Sequence, residues 1–348
     1  MGSGRMKLRY MPYELRFRHV FEVAAGARSS TPVVFTAIDY EGFTGYGEAS
    51  MPPYLGESSE SVTAFLSKAD LSIFADPLNI EELVDYLERL APGNYAAKAS
   101  VDIALHDLAG KLLGKPWYTV WGLGSADAPS TSFTIGIDRP EIVREKVKEA
   151  EQFRFLKVKV SKGNEEEMIA SVREMTDRPL FVDVNQGWTD KKYALDMIYY
   201  FLENNVVMIE QPLPADMTDE LEWITVNSPL PVIADEGIKT IDDLIRASDF
   251  YSGINIKLMK CGGMHNGWKM LQEAKKRGLK TMIGCMSETS CGISAAAQLS
   301  PAADWADLDG NLLIINDMFK GVEIADGRII LSDKPGIGAL PRDVDFFL

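Results

Sequence analysis

Three segments decide the fold: LFVDVNQGW at residues 180–188, VVMIEQP at 206–212 and VIADEG at 232–237. Each is a short run of Leu, Val, Ile, Phe, Met or Ala that ends in an acid, namely Asp183, Glu210 and Asp235. Apolar runs of this length separated by helix-length stretches are the pattern of strands buried on both faces, as in a parallel sheet. Working outward, comparable runs occur at residues 131–137, 155–160, 254–257, 279–284 and 304–308, with amphipathic stretches such as 140–153 and 266–277 between them. Parallel strands need helical crossovers, so eight such units in series predict a (β/α)-barrel. No long helix follows the eighth strand, which makes the expected form a (β/α)7β TIM-like barrel. An open doubly wound sheet has the same alternation, but no GxGxxG follows an early strand here.

Before the barrel the pattern differs. Residues 7–46 carry alternating or short continuous apolar runs, Val33-Val34-Phe35-Thr36-Ala37-Ile38 being the clearest, punctuated by Gly26, Pro32, Gly42 and Gly45. These read as antiparallel strands. The period then changes to three and four, with Ile80, Leu83, Val84, Leu87 and Leu90 on one face and an Ala-rich helix over 96–113. The expected organisation is an α+β capping domain at 1–122, a barrel at 123–317, and a segment at 318–348, containing PGIG, that returns to the first domain.

Composition narrows the function. The 348 residues are 46% hydrophobic, enough for a large core, and carry a net charge of −15 with no basic stripe to neutralise phosphates, which argues against a nucleic-acid partner. Cys261, Cys285 and Cys291 form no CxxC pair and are odd in number, as suits structural thiols in a reducing cytoplasm. No stretch has the length and apolarity of a membrane span or a signal peptide, so no membrane partner is expected.

In a parallel barrel, chemistry collects where strands end and βα-loops begin. Asp183, Glu210 and Asp235 end three consecutive strands, and neighbouring strands lie about 4.8 Å apart. Three carboxylates that close do not all stay ionised without a cation. A hard divalent ion with oxygen ligands, Mg²⁺ in particular, suits them. The second strand carries Lys157-Val158-Lys159, whose alternation sends both lysines to one side. Their repulsion, partial desolvation and a nearby cation are expected to lower a lysine pKa toward the working pH. The sixth strand, opposite the second in an eight-stranded ring, ends in Asn255-Ile256-Lys257-Leu258-Met259-Lys260. Lysines on opposite sides could address two faces of one carbon. Alternatives at this point are surface roles for Lys257 and Lys260, or a Schiff-base lysine, which has no use for the acidic triad.

These residues resemble the enolase superfamily, specifically its muconate lactonizing enzyme subgroup. AAKASVDIALHDLAGKLLGKPWYTVWG from Ala96 is similar to the last helix of that family's capping domain, and KVK, DVN, IEQP, ADE, NIKLMKCGG and PGIG follow in the family's order. The resemblance covers nearly the whole chain. It implies that Asp183, Glu210 and Asp235 bind Mg²⁺, that Lys159 and Lys257 are paired acid/base lysines, and that Lys157 helps hold a substrate carboxylate, with Asn185 and Glu236 in support. The shared half-reaction removes a proton next to a carboxylate, giving an enediolate. Mandelate-racemase relatives use a His/Asp dyad instead, and His19, His106 and His265 are expected to be structural.

The eighth strand separates the subgroup's reactions. It ends in Trp305-Ala306-Asp307-Leu308-Asp309-Gly310, and a DxD there resembles the dipeptide epimerases, in which the pair receives the substrate's free ammonium. GCMSET at 284–289 is similar to their seventh loop. The same DLDG could instead form a turn with solvated aspartates. Some Ala-Glu epimerases resemble this chain in the Gly26-Ala27-Arg28-Ser29-Ser30 stretch, read here as a loop between the first strands, where Arg28 could pair with a substrate carboxylate. The resemblance therefore implies an isomerase that epimerises L-Ala-L-Glu or a related Xaa-Glu dipeptide, as in salvage of cell-wall peptides, with a homo-oligomer possible. The alternatives are an N-acylamino-acid racemase, an o-succinylbenzoate synthase, a muconate-type cycloisomerase, and a binding barrel without catalysis.

Overall fold

Strands β1 (Lys7–Val23), β2 (Gly26–Tyr40) and β3 (Phe43–Ser50) form an antiparallel sheet in that order. They are seen in a computed structural model that describes residues 4–23, 26–343 and 347. Three helices follow, α1 (Ser59–Leu66), α2 (Ile80–Leu90) and α3 (Tyr95–Leu113). Residues 96–110 of α3 are all buried, so this helix has no solvent face along most of its length. Its Ala-rich sequence is what such a site needs, because small side chains let neighbours approach on every side. One neighbour is β3, where a Cβ on Gly45 would lie 2.1 Å from the Ala104 carbonyl and one on Gly47 1.9 Å from the Ser100 carbonyl. Two glycines at period two therefore lay β3 against the α3 backbone. The alternate positions, Tyr46, Glu48 and Ser50, face away from the helix.

Eight parallel strands follow: β4 (Ser132–Ile135), β5 (Phe155–Lys159), β6 (Leu180–Asp183), β7 (Val206–Glu210), β8 (Val232–Ala234), β9 (Gly253–Lys257), β10 (Lys280–Gly284) and β11 (Trp305–Asp307). They pair in sequence order, and a parallel bridge from Thr131 to Ala306 joins last to first. The expected barrel is thus the observed one. Strand ends differ from expectation by one or two residues, and at the end of β11 a side chain replaces the ladder. Leu308 N donates to Thr131 Oγ1 at 2.7 Å.

Alternation along these strands divides the barrel interior into two levels. Phe181, Met208, Ile233 and Met282 form a buried cluster, with Phe155 and Trp305 against it. Two residues further along the same strands stand Asp183, Glu210, Asp235, Gly284, Lys157 and Asp307, on the same inward side. An apolar floor therefore lies beneath a charged rim.

Residues near Gly336 pack on α3 and the turn that follows it. Trp117 N donates to Gly336 O at 2.9 Å, Ile337 N donates to Asp107 Oδ1 at 3.0 Å, and Gly336 lies close against Gly110 of α3. The loop expected at Gly26-Ala27-Arg28-Ser29-Ser30 is not a loop. It opens β2, with Arg28 paired to Phe21 and Ser30 to Arg16. Cross-strand pairing overrides the turn signals of Gly, Ser and Ser, since β1 is long enough to template it.

Gly47→Ala forces a methyl group into the Ser100 carbonyl, so β3 and α3 must separate. The expected loss of stability is about 3 kcal/mol, the upper end for overpacking. It is read as a lowered urea midpoint, and an unchanged midpoint would show that the two elements part without cost.

Candidate active site

The charged rim opens into a cavity of about 280 Å³ lined by Lys157, Lys159, Asp235, Lys257, Asp307 and Asp309, with Arg28, Tyr54 and Met286 over it. Carboxylate oxygens of Asp183, Glu210 and Asp235 all lie within 4.8 Å of one another. All three residues are almost wholly buried, at 0%, 0% and 1% exposure. The four lysines of the rim are paired with this triad. Lys159 donates to Asp183 Oδ2 at 2.5 Å and Lys257 to Asp235 Oδ2 at 2.6 Å. Lys157 lies 2.7 Å from Asp307 Oδ2, 2.8 Å from Glu210 Oε2 and 3.2 Å from Asp183 Oδ2. Lys260 donates to Asp235 Oδ1 and to the Asp235 carbonyl, each at 2.6 Å, and to the Asn255 carbonyl at 2.9 Å.

Burial and repulsion push Glu210 up to about 7, with Asp183 the nearest like charge, and burial with Asp235 does the same to Glu236. Burial also opposes ionisation of Asp183 and Asp235, but the adjacent lysines outweigh it and hold both below the ordinary carboxylate range. Burial and mutual repulsion do favour neutral amines, yet the surrounding carboxylates win and raise Lys157 and Lys257 well above the ordinary value. Lys260 is lowered, chiefly by burial.

The donor set suits a hard divalent cation: three buried carboxylates converge, and Glu210 Oε2, beyond its ion pair with Lys157, accepts no hydrogen bond. Local backbone geometry helps to aim this set. Asn185, Gln186 and Gln211, just past β6 and β7, have φ of 45°, 65° and 37°. Left-handed conformations cost on the order of 1 to 3 kcal/mol each for such residues and persist where surrounding bonds fix them. Gln211 is so fixed, with Oε1 accepting from Asp235 N and Gly237 N at 3.0 Å each and Nε2 donating to Leu213 O at 2.9 Å. Asn185 donates through Nδ2 to Glu236 Oε1 at 3.2 Å.

Asp307 and Asp309 are not solvated turn residues; they are 5% and 2% exposed and line the cavity. Asp307 accepts from Ser132 Oγ as well as Lys157, and Asp309 accepts from Thr134 N at 2.6 Å. Burial, with repulsion from Asp307, pushes Asp309 up to about 7. Arg28 reaches the cavity from β2, its guanidinium 5.5 Å from the centre of the Phe17 ring, and burial lowers its pKa. None of the three histidines lines this cavity. His106 is buried against Asp102 O and Trp117, and His265 sits at the start of the helix Met264–Lys276, whose first amides Asp102 accepts.

Residues 142–344 match the enolase C-terminal domain-like family, and residues 8–122 match the mandelate racemase/muconate lactonizing enzyme N-terminal domain. The chain belongs to the enolase superfamily. A relative from Bacteroides thetaiotaomicron, an L-Ala-D/L-Glu epimerase, is 56% identical over 97% of this chain and 88% of its own length. Among solved structures, the substrate-liganded L-Ala-D/L-Glu epimerase from Bacillus subtilis superposes with a TM-score of 0.90 at 27% identity, covering 97% of this chain and 99% of that one. A dipeptide epimerase from Cytophaga hutchinsonii, complexed with Mg and D-Ala-L-Val, also gives 0.90, at 25% identity over 99% and 98% of the two chains.

Sequence reading of this enolase-superfamily member missed three residues of the site. Lys260 was open to a surface reading, although a one-turn helix, Leu258–Cys261, returns it to the side of Lys257. Asn255 was detectable by period two from Lys257, and it donates to Glu210 Oε1 at 2.8 Å. Tyr54 had no signal, because nothing local says that the turn after β3 reaches the barrel mouth. Lys260→Met leaves Asp235 Oδ1 and the carbonyls of Asp235, Ile238 and Asn255 without their buried donor, and the expected loss of stability is about 3 to 5 kcal/mol. Chemical denaturation measures it, and a loss below about 1 kcal/mol would mean that Lys257 alone satisfies Asp235.

Proposed function

We propose that this isomerase is a Mg²⁺-dependent dipeptide epimerase that inverts the α-carbon of the C-terminal residue of L-Ala-L-Glu or a related Xaa-Glu dipeptide. One observation carries the reading: lysines from opposite strands of the barrel, Lys159 on β5 and Lys257 on β9, flank a buried acidic triad, and two further buried aspartates edge the same cavity. In this reading Asp183, Glu210 and Asp235 hold the cation, which supplies positive charge where the substrate carboxylate gains negative charge. Lys157 steadies that carboxylate. One of Lys159 and Lys257, as the neutral amine, takes the α-proton from one face, and the other, as the ammonium, returns a proton to the opposite face. A bound cation would share the charge of Asp235 and so weaken the ion pair that raises the Lys257 pKa.

Asp307 and Asp309 are assigned to the substrate's free ammonium and Arg28 to its side-chain carboxylate, for which a planar guanidinium is suited. The domain division at 1–122, 123–317 and 318–348 belongs to the same proposal, as do a cytoplasmic location and a role in recovering cell-wall peptides. Among the described residues no helix is long and apolar enough to cross a membrane, and all three cysteines are free.

Chelation should abolish turnover of L-Ala-L-Glu and added Mg²⁺ should restore it; full activity after exhaustive chelation contradicts the metal assignment. Lys159→Ala and Lys257→Ala should each lose epimerisation, while either one can retain α-deuterium exchange with heavy water for one configuration only. Equal exchange of both configurations by one mutant would sink the two-lysine assignment. If N-acetylated amino acids outrun free dipeptides, the chain is an N-acylamino-acid racemase.

Arg28→Ala should lower kcat/KM for Xaa-Glu dipeptides tenfold or more, about 1.4 kcal/mol per decade, and leave dipeptides with a neutral second residue nearly unchanged. Equal losses on both would assign Arg28 to support of the cavity wall.

A further inference from the structure

We propose that Glu48 is a positioning residue for substrate binding: from the N-terminal sheet it clamps the seventh βα-loop, residues 285–289, which walls the candidate site. The inference rests on the dipeptide reading of that site. Glu48 stands on β3, on the side opposite the Gly45 and Gly47 contacts with α3, and is fully buried. Its carboxylate accepts from Thr289 N at 2.9 and 3.1 Å, from Thr289 Oγ1 at 2.5 Å and from Gly292 N at 3.1 Å. Thr289 is also the N-cap of the helix Ser290–Ala297, its hydroxyl oxygen accepting from Cys291 N at 3.2 Å. That hydroxyl is therefore fixed on both sides.

The clamp reaches the cavity along the loop. Glu288 folds back so that Oε1 accepts from Met286 N at 2.7 Å, and Ser50, two residues past Glu48, donates through Oγ to the Ser287 carbonyl at 2.7 Å. Cys285, Met286 and Ser287 line the cavity. Gly292 lets the two carboxylates share the helix end, since a Cβ there would lie 2.2 Å from Glu288 Oε2. A second buried acid beside Glu288 is unfavourable for stability alone, where an apolar side chain could fill the space. What it supplies is direction: Thr289 at the end of the loop and Gly292 in the helix that follows are held by a strand outside the barrel.

The test compares Glu48→Gln, Glu48→Ala and Thr289→Val with the wild type in the presence of Mg²⁺. Two quantities are measured: kcat and KM for L-Ala-L-Glu, and amide hydrogen exchange of residues 285–292 in the free protein. Glu48→Ala should raise KM at least tenfold with kcat changed less than threefold, and loop amides should exchange at least tenfold faster. Glu48→Gln, which keeps one acceptor oxygen, should fall between, and Thr289→Val should reproduce part of the effect. A lowered melting temperature with wild-type KM and wild-type loop exchange would overturn the proposal, and so would a loss confined to kcat. If Glu48→Ala fails to fold, Glu48→Gln decides by the same two measurements. If the wild type turns over no dipeptide, the substrate reading has failed and loop exchange alone decides the clamp.

Discussion

Charge balance on one buried rim is the constraint from which the rest of the site follows. Lys157, Lys159, Lys257 and Lys260 meet Asp183, Glu210, Asp235, Glu236, Asp307 and Asp309 around a single barrel mouth. Four ammonium groups against six carboxyl groups leave two negative charges in excess when all are ionised, the charge that one divalent cation balances. Burial makes that excess costly. It falls on Glu210, Glu236 and Asp309, each pushed up to about 7, while Asp183 and Asp235 stay low beside their lysines.

The fold makes such a concentration of charge tolerable by stacking it on an apolar layer. Phe181, Met208, Ile233 and Met282 occupy the inward positions two residues before Asp183, Glu210, Asp235 and Gly284. The same period-two rule thus builds the core and delivers the chemistry. Gly284 is the one position of this level with no side chain, and a Cβ there would lie 2.3 Å from Asn255 Oδ1. The bare position makes room for the amide that holds Glu210.

What was legible in the sequence was whatever is periodic. Each barrel strand was visible as a run of apolar residues, and the acids at the ends of three of them gave the triad before any contact was known. Contacts between distant segments were not legible. Tyr54 and Glu48 act on a loop more than 200 residues away in the chain, and the donor and acceptor register that joins them leaves no local pattern. Arg28 was read in a loop because Gly26, Ser29 and Ser30 are turn formers, and pairing with β1 overrode them. Nor does the sequence show how many carboxylates surround Lys157, which outweigh its burial and raise its pKa.

The burial of α3 over residues 96–110 bears on how the molecule folds. An amphipathic helix can rest on one partner and leave its polar face in water, whereas a helix buried on every side needs partners all round. Along α3 those partners are β3, the C-terminal segment around Gly336, and the helix Met264–Lys276, whose first amides Asp102 of α3 accepts. They come from the beginning, the end and the sixth βα-unit of the chain. Neither the first sheet alone nor the barrel alone can bury α3, so each half lacks part of its core until the other is present. Separating the two halves would therefore expose apolar surface of α3 to water, which couples the stability of each half to the presence of the other.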